Sequence, residues 1–298
     1  MKLSIALITW NRQAQLIEAL DSCVKCQLPL DTEFIIIDNA SSDNTAECVK
    51  EFFSENHFKY YYERMSNNLG GGMGRNVAFS KCSGDYVYFM DDDAYVDVES
   101  NSNFFLKGIE LLESHPTLMT LTTQIYDLLW QANRLSDTGP KIDESIKKCY
   151  MICGGSHFLR RTFFMGTDPY FPNKYGYEEL QPSLRVADAG FLNGYTSAIR
   201  VIHNPKVNKW NFCDKKNKDT LIAEIANQYA IKSSVYPSCV YLVCKIAYIL
   251  RKMRHLDYQY FKECDQRAKS IVCNYDFGKR IRLRTLFNLF SDFGFSIF

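Results

Sequence analysis

"YVYFMDDDAYV", residues 86–96, drives a run of aromatic and β-branched residues straight into Asp91, Asp92 and Asp93. Such residues favour strands. A strand apolar on both faces belongs inside a sheet covered on both sides, as parallel sheets are. Three adjacent carboxylates at its end would raise one another's pKa unless something neutralises them. On an extended backbone Asp91 and Asp93 point one way and Asp92 the other. Two carboxylates on one side can hold Mn²⁺ or Mg²⁺, hard cations that also bind phosphate oxygens. The plain alternative is a solvated acidic turn that ends the strand.

The stretches before this one repeat its pattern. "LSIALITW" (3–10) and "EFIIIDN" (33–39) read as buried strands, and "KYYYERM" (59–65) as another. Between them, residues 11–28 place Leu16, Ile17, Leu20, Val24 and Leu28 at helical spacing, with Asn11 as the expected N-cap. "TAECVKEFFSE" (45–55) gives a second helix, and "GMGRNVAFSKC" (72–82) reads as loop into helix. Strands alternating with helices at this pace predict an α/β fold with a mostly parallel central sheet. Ligands of such sheets gather at the carboxyl ends of the strands. The polar clusters lie there: Thr9 with Asn11, Asp38 with Asn39, and Asp91 to Asp93.

Within "IIIDNASSDNT" (35–45), Asp38 can read a base edge or a ribose hydroxyl, whereas Asp43 suits a helix N-cap. The glycines of "NNLGGGMGRNVA" (67–78) would let backbone approach a ligand, and Arg75 adds a fixed positive charge. No Gly-Lys-Ser/Thr follows, so this is not a Walker loop, and the GxGxxG spacing of a dinucleotide fingerprint is missing.

Composition narrows the partners. The 298 residues carry a formal net charge of +1, against the broad basic footprint of a nucleic-acid binder. No stretch reaches the roughly 18 apolar residues of a membrane span. Tyr236 to Leu250 comes nearest and is broken by Lys245. Leu3 to Trp10 is too short for a signal sequence and reads as a first strand. The eleven cysteines are scattered. Cys23 and Cys26 share a C-x-x-C spacing inside a predicted helix, with no second pair to complete a zinc site. Packed, reduced thiols and a cytoplasmic location are expected.

Taken together, "ITWNR" (8–12), "IIIDNASSDNT", "NLGGGMGRN" (68–76) and "FMDDDAY" (89–95) resemble, in order and spacing, the family 2 glycosyltransferases of GT-A fold. The likeness covers roughly residues 1–205. It implies an inverting transferase that binds a nucleotide-diphosphosugar, a UDP-sugar by preference, with Mn²⁺ or Mg²⁺. It implies donor contacts from Thr9, Asn11, Arg12, Asp38, Asn39, Asn68, Gly70, Gly71, Arg75, Asp91 and Asp92. It implies metal ligands among Asp91 and Asp93, with His203 of "IRVIHNP" (199–205) as a third. "CGGSHFLRRTFF" (153–164) resembles the family's acceptor-side strand, placing Gly154 and Gly155 there. "YGYEELQPSLRVADAGF" (175–191) resembles its acidic segment. By position Glu179 matches the catalytic base, Glu178 is the other candidate, and Arg185 falls where the family has an arginine on the acceptor side. Gln181 stands where a second aspartate is usual, and Pro182 is tolerable in a helix's first turn. Lys215 to Lys218 resembles a basic pair that meets the diphosphate.

The expected domains are a catalytic unit over 1–218, donor half 1–98 and acceptor half 99–218, followed by a helical region over 219–298. The last part mixes Lys and Arg with aromatic and aliphatic residues. It suits either an amphipathic helix on the anionic inner face of a membrane or a helical cap that also forms a homodimer. The acceptor is expected to be a saccharide, free or lipid-linked, in surface polysaccharide synthesis. Two rival readings are a nucleotidyltransferase that makes sugar nucleotides and a non-catalytic nucleotide-sugar-binding protein. The first would show a Gly-rich, Arg-containing loop after the first strand, where "TWNRQAQ" (9–15) stands.

Overall fold

The computed structural model describes residues 2–134, 138–205 and 218–298. The donor half alternates strand and helix: β1 (Lys2–Thr9), α1 (Gln13–Val24), β2 (Asp31–Asp38), α2 (Thr45–Asn56), β3 (Lys59–Arg64), α3 (Gly71–Lys81) and β4 (Tyr86–Asp91). There follow β5 (Ala94–Val96), α4 (Phe104–Glu113), β6 (Leu118–Asp127), β7 (Ala132–Asn133), β8 (Thr138–Lys141), β9 (Ile146–Cys149) and β10 (Ser156–Arg160). Next come α5 (Arg161–Phe164), α6 (Leu180–Asp188) and β11 (Leu192–His203). Four helices end the chain: α7 (Lys218–Val235), α8 (Tyr241–His255), α9 (Phe261–Asn274) and α10 (Leu283–Phe293).

One mixed sheet runs in the order β3-β2-β1-β4-β10-β6-β11-β9-β8. The first four strands are parallel, β10 is antiparallel to both its neighbours, and β11 is parallel to β6. Period-two alternation splits the core across it. Leu3, Ile5 and Leu7, Phe34 and Ile36, and Tyr86, Tyr88 and Met90 pack on one face, while Ala6, Ile35, Ile37, Val87 and Phe89 pack on the other. Among the described residues, β8 and β9 are short strands that close one edge of the sheet.

Register brings the polar ends together. Thr9 lies opposite Asp38, and Ile8 opposite Asp91. The chain leaves β1 on one side for β2 and on the other for β4, a switch point where a cleft opens. His203 pairs with Asp127 on β6 and with Ala94 on β5. The carboxyl ends of both halves therefore meet at residues 91–94.

Several local expectations change. The N-cap position of α1 is Arg12, and Asn11 takes a left-handed φ of 53°. That conformation suits Asn and lets its side chain accept a hydrogen bond from the Ser42 amide at 2.6 Å. Asp43 accepts from the Thr45 hydroxyl at 2.5 Å and the Gln13 amide at 3.3 Å, joining α1 to α2. Helix α1 stops at Val24, so Cys26 lies beyond it, although both Cys23 and Cys26 are buried free thiols. Pro182 does sit in the first turn of α6.

The C-terminal helices share a core with the sheet-bearing part. Tyr150, Phe171, Leu180 and Leu184 pack in one cluster with Ile231, Tyr236, Phe277, Leu286 and Leu289. No helix of the described residues is long and apolar enough to cross a membrane.

Candidate active site

At the carboxyl end of β4 the backbone turns immediately after Asp91, so alternation does not hold past it. Asp92 and Asp93 consequently share one cation: Arg12 Nη1 donates to Asp92 Oδ1 at 2.8 Å and to Asp93 Oδ2 at 2.7 Å. Burial raises Asp92 to about 6 against the pull of Arg12. Burial opposes the charge of Asp93 as well, but the bond from His203 and the nearby Arg12 hold its carboxyl below the usual range. The triple aspartate is thus already partly neutralised by the chain's own arginine.

Asp91 leads elsewhere. Its Oδ1 accepts from Arg75 Nη2 at 2.9 Å, and one-third of its side chain remains exposed. Asp91, Asp93 and His203 each place a ligand atom within 4.8 Å of the others. His203 Nε2 lies 3.2 Å from Asp93 Oδ1, and its Nδ1 lies 2.9 Å from Asp127 Oδ2. A carboxylate behind an imidazole fixes its tautomer and orientation, the usual support for a metal-ligating histidine. Two carboxylates and one imidazole fit a Mn²⁺ or Mg²⁺ ion, and the imidazole favours the former. Arg134 Nη2 completes the group, 3.1 Å from Asp127 Oδ2 and beside the His203 ring.

Asp127 and Arg134 are not among the residues expected from the sequence. Asp127 ends β6 as Asp38 ends β2 and Asp91 ends β4, so the same strand-end pattern marks it. Arg134 carries no comparable signal.

A second acidic group stands on the other side of Asp91. Arg75, buried in the first turns of α3, donates from Nη1 to Glu178 Oε1 at 2.8 Å and lies 3.3 Å from Glu179 Oε1. Burial works against its charge, but Glu179, Asp91 and Glu178 keep it protonated. Burial raises Glu179 to about 8, with Glu178 adding to the effect and Arg75 opposing it. Glu178 Oε2 is buried without a hydrogen-bond partner among the described residues. Glu179 occupies the N-cap position of α6. Gly154 makes room for it: a Cβ there would sit 2.0 Å from Glu179 Oε1. Gly155 comes beside Asp91, whose amide donates to the Gly155 carbonyl at 3.3 Å.

The donor-half residues line the adjoining cleft. Asp38 accepts from the Ser41 amide at 2.7 Å and from the Tyr62 hydroxyl at 2.6 Å. Asn39 donates to the Gly70 carbonyl at 3.2 Å, and its buried Oδ1 has no partner among the described residues. Asn68 Oδ1 caps the Gly70 amide at 2.8 Å, and Thr9 is buried at the end of β1.

The glycine-rich stretch behaves differently from expectation. Gly71, Gly72 and Gly74 are already helical, in α3, rather than in a loop. A Cβ on Gly72 would lie 2.0 Å from the Phe171 carbonyl, and one on Gly70 would lie 2.2 Å from Lys174 Cα. These two glycines admit the 171–174 backbone. Gly71 faces Glu178 instead, its missing Cβ 2.9 Å from Oε1. Arg185 stands apart from the acidic pair and donates to the Asp168 carbonyl at 2.9 Å. Of the basic stretch Lys215 to Lys218, only Lys218 lies within the described residues, where it begins α7.

Structural comparison supports the architecture. Residues 1–349 of Staphylococcus aureus TarS, solved in complex with UDP-GlcNAc, superpose with a TM-score of 0.66 at 16% identity, covering 91% of this chain and 82% of that one. The mannosyltransferase PcManGT of Pyrobaculum calidifontis, solved with GDP-Man and Mn²⁺, gives 0.60 at 13% identity over 97% and 79%. At such identities the likeness establishes the fold, which is GT-A. In sequence, the poly(ribitol-phosphate) beta-N-acetylglucosaminyltransferase TarS of S. aureus is 24% identical over 177 residues, 58% of this chain and 30% of that protein. The poly(ribitol-phosphate) beta-glucosyltransferase of Bacillus spizizenii is 32% identical over 101 residues, 34% of this chain and 16% of that protein. The chain thus aligns with less than a third of the length of these curated relatives. Residues 4–162, over half of the chain and including the strand ends that carry Asp38, Asp91 and Asp93, match the model of "Glycosyl transferase family 2", and the chain belongs to that family.

Proposed function

We infer that the protein transfers a sugar from a nucleotide diphosphate, a UDP-sugar in first place, to an acceptor hydroxyl with inversion of configuration. One observation carries this reading: Arg75 joins the buried pair Glu178–Glu179 to Asp91, so a proton acceptor and a diphosphate-facing cluster stand one guanidinium apart. The structural neighbours solved with UDP-GlcNAc and with GDP-Man and Mn²⁺ lend support.

In this reading Thr9, Asp38, Asn39 and Asn68 hold the nucleoside. Asn39 Oδ1, buried without a partner among the described residues, is an acceptor that a base amine can satisfy. Asp91, Asp93 and His203 would hold the metal, oriented through Asp127. A bound Mn²⁺ or Mg²⁺ would supply Lewis acidity toward the diphosphate. Glu179, as carboxylate, takes the proton of the acceptor hydroxyl. The oxygen's electron pair forms the bond to the anomeric carbon, the bond to the diphosphate oxygen breaks, and its electrons leave with the nucleotide. Glu178 keeps the shorter contact with Arg75, which leaves Glu179 as the base.

The test is a panel of nucleotide sugars with Mn²⁺, read as release of free nucleotide, beside Asp93→Ala and Glu179→Gln. Turnover of one donor that both substitutions abolish, with Glu179→Gln still binding that donor in calorimetry, supports the assignment. Full activity in Glu179→Gln would remove it as base. Binding without turnover in the unmodified protein, with acceptor extracts present, would favour a nucleotide-sugar-binding protein.

A further inference from the structure

The described residues contain a second cavity, of about 530 Å³, between α7 and α8. It adjoins the acidic pair through one residue. Tyr177 lines the cavity and immediately precedes Glu178, with a left-handed φ of 66°. A bulky side chain rarely takes that conformation and is held there only by its surroundings. Those surroundings are visible: Asn227 of α7 donates to the Tyr175 carbonyl at 2.8 Å and to the Gly176 carbonyl at 3.0 Å. The Tyr177 hydroxyl lies 3.4 Å from Arg251 Nη1 on α8, while Glu178 turns back to Arg75. Tyr177 and Glu179 are two residues apart, roughly 7 Å of chain at most.

The lining has a distinct chemistry. Ile225, Ala247 and Leu250 form aliphatic walls, and Arg251, Arg254 and His255 are basic. Glu224 is the one acid among the lining residues. Arg251 donates to Gln228 Oε1 and, at 3.4 Å, to the Phe298 backbone oxygen. Arg254 and His255 have neither ion pair nor hydrogen bond among the described residues. Basic residues at a helix C-terminus complement its dipole. That accounts for Arg254 and His255 as isolated charges, but not for the cavity that both of them line. Gln228 and Tyr177, the amide and the ring that a neutral sugar would use, are both engaged by Arg251, whereas the remaining cations over aliphatic walls suit an anion with an apolar neighbour.

We propose that this cavity is an acceptor subsite for a phosphoryl group, with Tyr177 linking it to the acidic pair. The role as acceptor site rests on the transferase reading above; the phosphoryl binding does not. The phosphoryl group can come from a polyol-phosphate chain or from a lipid diphosphate. The second source gains from Leu250, which belongs to the cavity and also to an exposed stripe of Leu242, Val243, Ile246, Ile249 and Met253 along α8.

The experiment uses the full chain with UDP and Mn²⁺ added, and ribitol 5-phosphate or geranyl diphosphate as probe, each against its unphosphorylated alcohol. Hydrogen exchange and calorimetry are read on the unmodified protein, Arg254→Glu and Arg254→Gln. Slowed exchange in 221–228 and 247–255 is expected with a phosphorylated probe. Arg254→Glu is expected to weaken its affinity at least ~10-fold, as loss of a charge-assisted contact does. Protection by ribitol 5-phosphate alone assigns a polyol-phosphate source, and protection by geranyl diphosphate alone assigns a lipid carrier. Binding that is equal in Arg254→Glu, protection confined to residues near Asp91, or no binding of either probe would overturn the subsite. Donor hydrolysis is followed on the same samples: its absence counts against the transferase reading, and its presence without probe binding counts against the subsite alone.

Discussion

Gly154 and Glu179 show how one missing methyl group positions a carboxylate. Because a Cβ on Gly154 would stand 2.0 Å from Glu179 Oε1, Gly154→Ala must move that oxygen. Displacement of a reacting group by an ångström costs ~10²-fold in rate. Gly154→Ala is therefore expected to lower kcat by about that factor while donor affinity in calorimetry stays unchanged. Glu179 also links stability to pH. Its folded pKa of about 8 lies above the ordinary value of 4.5, so the folded protein holds a proton that the unfolded chain has lost between those values. The stability contributed by that proton is fully present below 4.5 and is lost as the pH rises through 8. Glu179→Gln removes the buried charge altogether. Its melting temperature should exceed that of the unmodified protein by ~2 °C or more at pH 9, and differ little at pH 4. An equal shift at both pH values would show that Glu179 is not raised. For the same reason kcat/KM of the unmodified enzyme should climb with pH up to about 8, as the base loses its proton.

Two pairings of elements build the site. The parallel contact of β6 with β11 sets Asp127 beside His203, and the short strand β5 brings Asp93 against the same imidazole. Asp127→Asn retains the shape but loses the charge that supports His203. Mn²⁺ affinity, followed by the fall in free-ion signal in electron paramagnetic resonance, is expected to weaken ~10–100-fold. Unchanged affinity would leave Asp127 as a partner of Arg134 only. The docking of α3 on 170–174 is the other pairing. Asn76 donates to the Tyr170 carbonyl at 2.8 Å and accepts from the Tyr170 amide at 2.9 Å, while Gly72 admits the Phe171 carbonyl. That contact delivers Glu178 to Arg75.

Across the molecule, the cluster that holds Leu180 and Leu184 of α6 with Ile231, Phe277 and Leu289 makes the C-terminal helices part of one packed unit with the sheet. A cut near residue 236 would bare the underside of α6, the helix that begins at Glu179. Calorimetry should show a single cooperative transition, and limited proteolysis should yield no stable fragment ending near residue 236. Two separated transitions would mean that the helices form a domain of their own. The cavity between α7 and α8 depends on this attachment, because Tyr177 and Gln228 line it from opposite sides of the join.

Much of the donor half was legible without coordinates. Buried strands announce themselves by β-branched and aromatic runs, and the polar residues that end them mark the mouth of a parallel sheet. Asp38 and Asp91, at the ends of β2 and β4, follow from that pattern because strand propensity acts over a few residues. The turn after Asp91 breaks the alternation on which the placing of Asp93 rests. Tertiary structure alone decided the pairings. Arg75 meets Glu178 across 103 positions, and His203 meets Asp127 across 76. Strand order and register, which the whole sheet settles at once, determine such contacts. The same cause reversed the reading of the glycines in 70–74: their spacing signals a close approach, but only the folded chain shows that Gly70 and Gly72 receive the protein's own backbone.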